Sequence, residues 1–340
     1  MSDAILAKDI THTYKGGKRA VDGVSFHVEK GEFFGFLGPN GAGKSTTIKM
    51  LATLLHPDAG QVVVNGLDVM QQPVAVRRSI GYTAQDTSVD EELTARENIR
   101  FACEAYGVPR AQREARIDQL LDLVDLADVA DKRASTFSGG MKKRLDIATS
   151  LVHDPPLLFL DEPTTGLDPK ARMSLWAYFR ELNKRGTTIF LTTQYLEEAD
   201  QLCQRIAIIN DGRIVATGTP DELKAQVGGD ALEVHLEITK PDTLERAREV
   251  VAKSGLLGPG DTVGLSTGGL TVTSPRAKRI GADVLGSLKK EGFTVLSFNV
   301  RSPTLDDVFL KLTGATLEEA QEKAKANAPT GGRGGRRGGR

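Results

Sequence analysis

The tightest constraint on this chain is the segment Gly38-Pro39-Asn40-Gly41-Ala42-Gly43-Lys44-Ser45, which fits the pattern GxxxxGK[ST]. It follows an apolar run, Glu32 to Leu37, that reads as a strand, and it precedes a helical stretch beginning near Ser45. Glycines at such a junction let successive backbone N–H groups wrap a phosphate chain, and the helix start adds partial positive charge. Lys44 then reaches the outer phosphates, while Ser45, with Thr46 beside it, offers a hydroxyl to Mg²⁺.

A second acidic element gives this loop a partner. Leu157-Leu158-Phe159-Leu160 is an apolar strand that ends in Asp161-Glu162. Beside a phosphate cradle, Asp161 serves as the Mg²⁺ ligand, directly or through water, and Glu162 as the base that polarises an attacking water. Leu157 to Leu160 and Thr188 to Thr192 are unbroken apolar or β-branched runs, which predicts a parallel central sheet covered on both faces.

Around this centre, Val21 to Val28 and Glu32 to Leu37 flank a turn at Glu29-Lys30-Gly31. Asn65-Gly66 and Asp211-Gly212 each separate two short strand patterns, as type I′ hairpins require. From Glu91 to about Asp154 the apolar spacing is helical, which predicts a helical insert over about 88–154. After Gln226 the order becomes β-α-β-β-α-β, a ferredoxin-like α+β arrangement, followed by a short helix from Thr304 to Leu312. The division expected is a mixed-sheet α/β domain with an antiparallel β subdomain over 1–225, a regulatory or dimerising α+β domain over 226–315, and a polar helix with a flexible Gly/Arg tail over 316–340.

Composition narrows the class. With 39% hydrophobic and 26% charged residues the chain has the balance of a water-soluble globular protein, and no apolar stretch is long enough to span a bilayer. The start Met1-Ser2-Asp3-Ala4 has no secretory pattern, so a cytoplasmic location is expected, and Cys103 and Cys203 are read as reduced thiols. Net charge is −1 although Arg333, Arg336, Arg337 and Arg340 crowd the last ten residues. The remaining body is therefore acidic, and only the tail hints at nucleic acid or anionic lipid.

Shortly before the acidic strand lies Phe137-Ser138-Gly139-Gly140-Met141-Lys142-Lys143-Arg144-Leu145, which resembles the signature motif of the ATP-binding cassette (ABC) family. Ser138, Gly139 and Gly140 at a helix start form an anion site by the same backbone logic as the first loop. The resemblance implies a P-loop ABC cassette, with ATP and Mg²⁺ bound and two ATP molecules sandwiched in a head-to-tail homodimer. Within it Tyr14 resembles the adenine-stacking aromatic, Gln85 the glutamine that joins Mg²⁺ and water to the helical insert, and Asp168 the residue that crosses the dimer interface.

Three positions depart from the usual pattern. Phe137 and Met141 stand where most members carry Leu and Gln, and Gln194 stands where a histidine normally contacts the γ-phosphate. Its amide still donates a hydrogen bond but does not titrate near neutral pH, so hydrolysis should rest on Glu162 with Gln194 as a neutral sensor. With the Pro303 to Leu310 segment, these features resemble the daunorubicin/doxorubicin-resistance type of ABC ATPase subunit. That resemblance implies a motor for export of a drug or lipid-like cargo through a separate polytopic permease, at the cytoplasmic face of the membrane. The alternative is an ABC ATPase acting on ribosomes or nucleic acid.

Overall fold

The computed structural model describes residues 3–320 apart from 267 and 318. The chain divides into two compact units, one running to Pro220 and resuming at Ala315, the other covering Asp221–Gly314. Of the polar helix and Gly/Arg tail expected over 316–340, the part beyond residue 320, the whole Gly/Arg tail included, lies outside the described residues.

The first unit contains β1 (Asp3–Thr13), β2 (Arg19–Glu29), β3 (Phe33–Leu37), α1 (Lys44–Leu51), β4 (Ala59–Val64), β5 (Leu67–Asp68), α2 (Pro73–Arg78) and β6 (Ile80–Thr83). The helical insert follows as α3 (Ala95–Ala105), α4 (Arg110–Leu123) and α5 (Gly139–Ser150). Then come β7 (Leu157–Asp161), α6 (Pro169–Lys184), β8 (Thr188–Thr193), α7 (Leu196–Leu202), β9 (Arg205–Asn210) and β10 (Arg213–Gly218).

Two sheets result. The antiparallel one has the order β2-β1-β4-β5, and the larger one β10-β9-β3-β8-β7-β6, parallel except for its β10 edge. Every residue of β3, β7 and β8 is buried, which explains their unbroken apolar sequences. Phe26 of β2 packs against Phe34, Phe36 and Phe190 of the central sheet at centroid distances of 5.5–5.8 Å, so aromatic rings join the two sheets.

Both type I′ turns form, with Asn65-Gly66 at φ 50 and 79 and Asp211-Gly212 at φ 47 and 78. The turn at Glu29-Lys30-Gly31 differs from a hairpin: its flanking strands enter different sheets and do not pair. β1 has no clear pattern in the sequence because its register shifts between Ala7 and Ile10, with Asp9 at φ 47, and this breaks the alternation of buried residues.

After α8 (Pro220–Ala225), the second unit holds β11 (Asp230–Leu236), α9 (Thr243–Lys253), β12 (Thr262–Ser266), β13 (Gly269–Ser274), α10 (Ala277–Lys290), β14 (Val295–Arg301) and α11 (Leu305–Thr313). Its antiparallel order β12-β13-β11-β14 is the ferredoxin-like one, with α9 and α10 sharing an apolar core with Leu232, Val234 and Val272. Thr304 and Asp307 form a capping box at the start of α11, and Arg301 pairs with Asp307 at 2.6 Å.

Candidate functional site

The site lies where open α/β sheets usually bind ligands, beyond the carboxyl ends of adjacent parallel strands. β3 delivers the glycine-rich loop, β7 delivers Asp161 and Glu162, β8 leads to Gln194 and β6 to Gln85. Gly43 caps α1 at φ 108, and a Cβ there would run into the carbonyl oxygen of Ala20, so only glycine suits the turn.

Tyr14, Asn40, Gly41, Gly43, Lys44, Ser45, Thr46, Gln85 and Glu162 come together around a cleft of about 260 Å³. Lys18 and Ala20 also line it and were not anticipated. Their signal was the register of the first hairpin: Thr13 opposes Arg19, and Tyr14 N–H donates to Lys18 O at 3.0 Å, which folds Lys18 beside Tyr14. Tyr14 is 43% exposed, and its hydroxyl lies 3.1 Å from Thr46 Oγ1, so its ring remains available at the rim.

Lys44 is buried, and its ammonium donates to Gly38 O at 2.8 Å and Pro39 O at 3.0 Å. It also sits 3.0 Å from Glu162 Oε1. Burial pulls the Lys44 pKa below its ordinary value, and the Glu162 charge works against that fall. Glu162 itself adopts φ 48, an uncommon backbone for a residue with a long side chain, and its N–H is held by the carbonyl and hydroxyl of Thr192, each at 3.1 Å. Its Oε2 accepts from Thr165 Oγ1 at 3.3 Å.

Behind the cleft, Asp161 Oδ1 accepts from Thr192 Oγ1 at 2.6 Å and from Ser45 Oγ at 3.1 Å. Burial raises the Asp161 pKa, and those two hydrogen bonds oppose the rise. A carboxylate and a hydroxyl this close are hard oxygen donors, and Mg²⁺ typically takes one or two such protein ligands and completes its shell with phosphates and water. The donor set therefore fits Mg²⁺, and among the described residues no group of three or more His, Cys, Asp or Glu offers a metal cage instead.

Ser138, Gly139, Asp168 and Gln194, also expected at the nucleotide, do not line this cleft. Ser138 caps α5 by accepting from Met141 N–H at 3.3 Å, and Ser138 and Gly139 are exposed. Asp168 caps α6, accepting from Lys170 N–H and Ala171 N–H at 3.0 Å each. Gln194 is half-buried at the bend between β8 and α7 and is not among the residues lining the cleft.

Residues 21–165 match the family described as ABC transporter, and residues 218–313 match the one described as ATP-binding protein DrrA1-3-like, C-terminal domain. The daunorubicin/doxorubicin resistance ATP-binding protein DrrA of Streptomyces peucetius is 45% identical over 332 residues, covering 95% of this chain and 97% of that protein. The daunorubicin resistance ATP-binding protein DrrA3 of Streptomyces coeruleorubidus is 43% identical over 92% of this chain and 97% of its own. A solved ATP-binding cassette, in a dimeric post-hydrolysis state bound to ADP and Pi, superposes with a TM-score of 0.58 at 27% identity, over 63% of this chain and 98% of that one. Neither named relative points toward ribosomes or nucleic acid. Likeness that runs through almost the full length of each relative, on a cassette with this cleft, makes the chain a member of the ABC transporter family, among its DrrA-like, ATP-hydrolysing subunits.

Proposed function

We propose that two copies of this chain close on two ATP molecules, each held by Lys44 of one copy and Ser138 of the other, and that hydrolysis to ADP and phosphate releases the clamp. One observation carries this reading: the buried cradle is furnished within a single chain, yet the second anion-binding element, the glycine-tipped start of α5, is exposed and does not line it.

Within each composite site Lys44 and the amides of residues 40–46 hold the phosphates, and Tyr14 stacks on the base. Ser45 and Asp161, with Gln85 in the same cleft, hold Mg²⁺, which would neutralise phosphate charge during transfer. Glu162 orients the attacking water and takes its proton; Gln194 approaches the γ-phosphate as a neutral hydrogen-bond donor, and Asp168 lies at the interface between copies.

We assign the energy released to export of a drug or lipid-like cargo through a separate polytopic permease, in keeping with the resistance role in the names of the relatives. Among the described residues no helix is long and apolar enough to cross a membrane, so the path for cargo is assigned to another chain and this one to the cytoplasmic face. The helical insert presents Phe101, 70% exposed, as a contact for that partner. The second unit, whose edge strand β14 exposes Leu296 and Phe298, is assigned to self-association or regulation.

The composite site has a direct test. Lys44→Ala spoils the cradle and Ser138→Arg spoils the cap, so each variant alone should be inactive. A mixture forms dimers with one intact site, Lys44 from one chain facing Ser138 from the other, and should regain ATPase activity. A mixture as inactive as its components rejects the shared site.

A further inference from the structure

Two buried charged residues on α5 take no part in the cleft. Lys143 and Asp146 are 5% and 3% exposed and stand three positions apart on one face of the helix. Lys143 Nζ donates to the carbonyl oxygens of Ala84 at 2.6 Å and Gln85 at 3.1 Å. Asp146 Oδ1 accepts from Ser88 Oγ at 2.6 Å and from Ser88 N–H at 3.1 Å. A third tie, Lys142 Nζ to Glu91 Oε1 at 2.5 Å, secures the segment further along. The loop that carries Gln85 is thus fastened to one helix at three successive points.

Burying an ammonium is costly, and an apolar residue would fill this place at less expense. The Lys143 ammonium instead donates to two backbone carbonyls of the Gln85 loop, which fixes the course of the loop and leaves the Gln85 side chain free to line the cleft. Burial pulls the Lys143 pKa below its ordinary value, and nearby Asp146, Asp161 and Asp86 oppose that fall, so the ammonium stands in a field shared with the Asp161 carboxylate. At the N-terminal end of the same helix, about one and a half turns before Lys143, stands Ser138. A helix of this kind moves as a rigid rod, so Ser138 does not shift without carrying the Gln85 loop along.

We infer that Lys143, backed by Asp146 and Ser88, is a positioning residue that yokes Gln85 in one nucleotide site to Ser138 in the other, so that filling one site sets the geometry of the second. The inference rests on the two-copy reading above. Lys143 touches no nucleotide; it makes the two sites act together.

Lys143→Met and Ser88→Ala, introduced singly into the full chain co-expressed with its membrane partner, test the yoke. ATP binding by the single chain is read with a fluorescent ATP analogue, turnover by phosphate release, and cooperativity by the Hill coefficient. Lys143→Met should hold single-chain affinity within about twofold, lower turnover about tenfold, and bring the Hill coefficient down to unity. Ser88→Ala should lower turnover by about threefold or less and leave the Hill coefficient between unity and that of the parent, since it removes one fastening and leaves Lys143 in place. If Lys143→Met does not fold, judged by its thermal melt, Ser88→Ala decides alone. A variant that folds and keeps the cooperativity of the parent overturns the yoke, as does a parent that hydrolyses ATP without cooperativity. The mixing experiment with Lys44→Ala and Ser138→Arg separates this failure from failure of the two-copy reading, because restored activity there upholds the shared site whatever Lys143 does.

Discussion

Lys44, Asp161 and Glu162 are each less than a tenth exposed and are tied to the loop, to Ser45, to Thr192 or to one another, whereas Ser138 and Gly139 are exposed and, among the described residues, the serine side chain bonds within its own helix. Both regions join glycine to a helix start, the arrangement that suits an anion. One is completed by intrachain contacts and the other is left open to a second surface. On the proposed two-copy reading, affinity for nucleotide and competence to turn it over belong to different parts of the chain, and substitutions should separate them.

The largest effect is expected at Glu162. Glu162→Gln should lower turnover about 10²- to 10⁴-fold, the usual worth of a general base, while ATP still binds; a rate equal to that of the parent in a phosphate-release assay removes Glu162 from its role. Next is Ser138→Arg, which should cost about 10²- to 10³-fold in turnover, as loss of a charge-stabilising donor does, yet leave nucleotide affinity of the isolated chain unchanged. Isothermal titration would break the comparison if affinity fell as steeply as turnover. Asp161→Asn acts within the cradle and should raise the Mg²⁺ concentration needed for half-maximal turnover about 10- to 100-fold, read from a Mg²⁺ titration at saturating ATP. The smallest change is expected for Gln194→His: turnover within about tenfold of the parent, but with a new dependence on pH near neutrality that the glutamine lacks. A parent complex with no turnover, restored by Gln194→His, would instead make the glutamine a block.

Much of the cradle was legible because its chemistry is local. Gly38 to Thr46 must be contiguous to wrap phosphate, and Asp161-Glu162 must cap a buried strand, so both appear as uninterrupted strings. Thr192 was hidden inside a β-branched run, and only the pairing of β7 with β8 brings its hydroxyl to Asp161. Lys18 required the register of the first hairpin, and the bulge near Asp9 blurred the pattern of β1 that would have supplied it. Nothing in the sequence marks Lys143 and Asp146 as buried; their burial exists only once α5 packs against the segment after β6. The ferredoxin-like unit was legible because its strands and helices alternate cleanly and each carries its own period.

Mass in solution tests nucleotide-bridged pairing most directly. Full-length Glu162→Gln chain, loaded with ATP and Mg²⁺ and examined by light scattering alone and with its membrane partner, should double its cassette stoichiometry relative to the nucleotide-free sample, and Ser138→Arg added to it should abolish the change. A chain saturated with ATP that keeps one unpaired cassette in both settings would contradict the account.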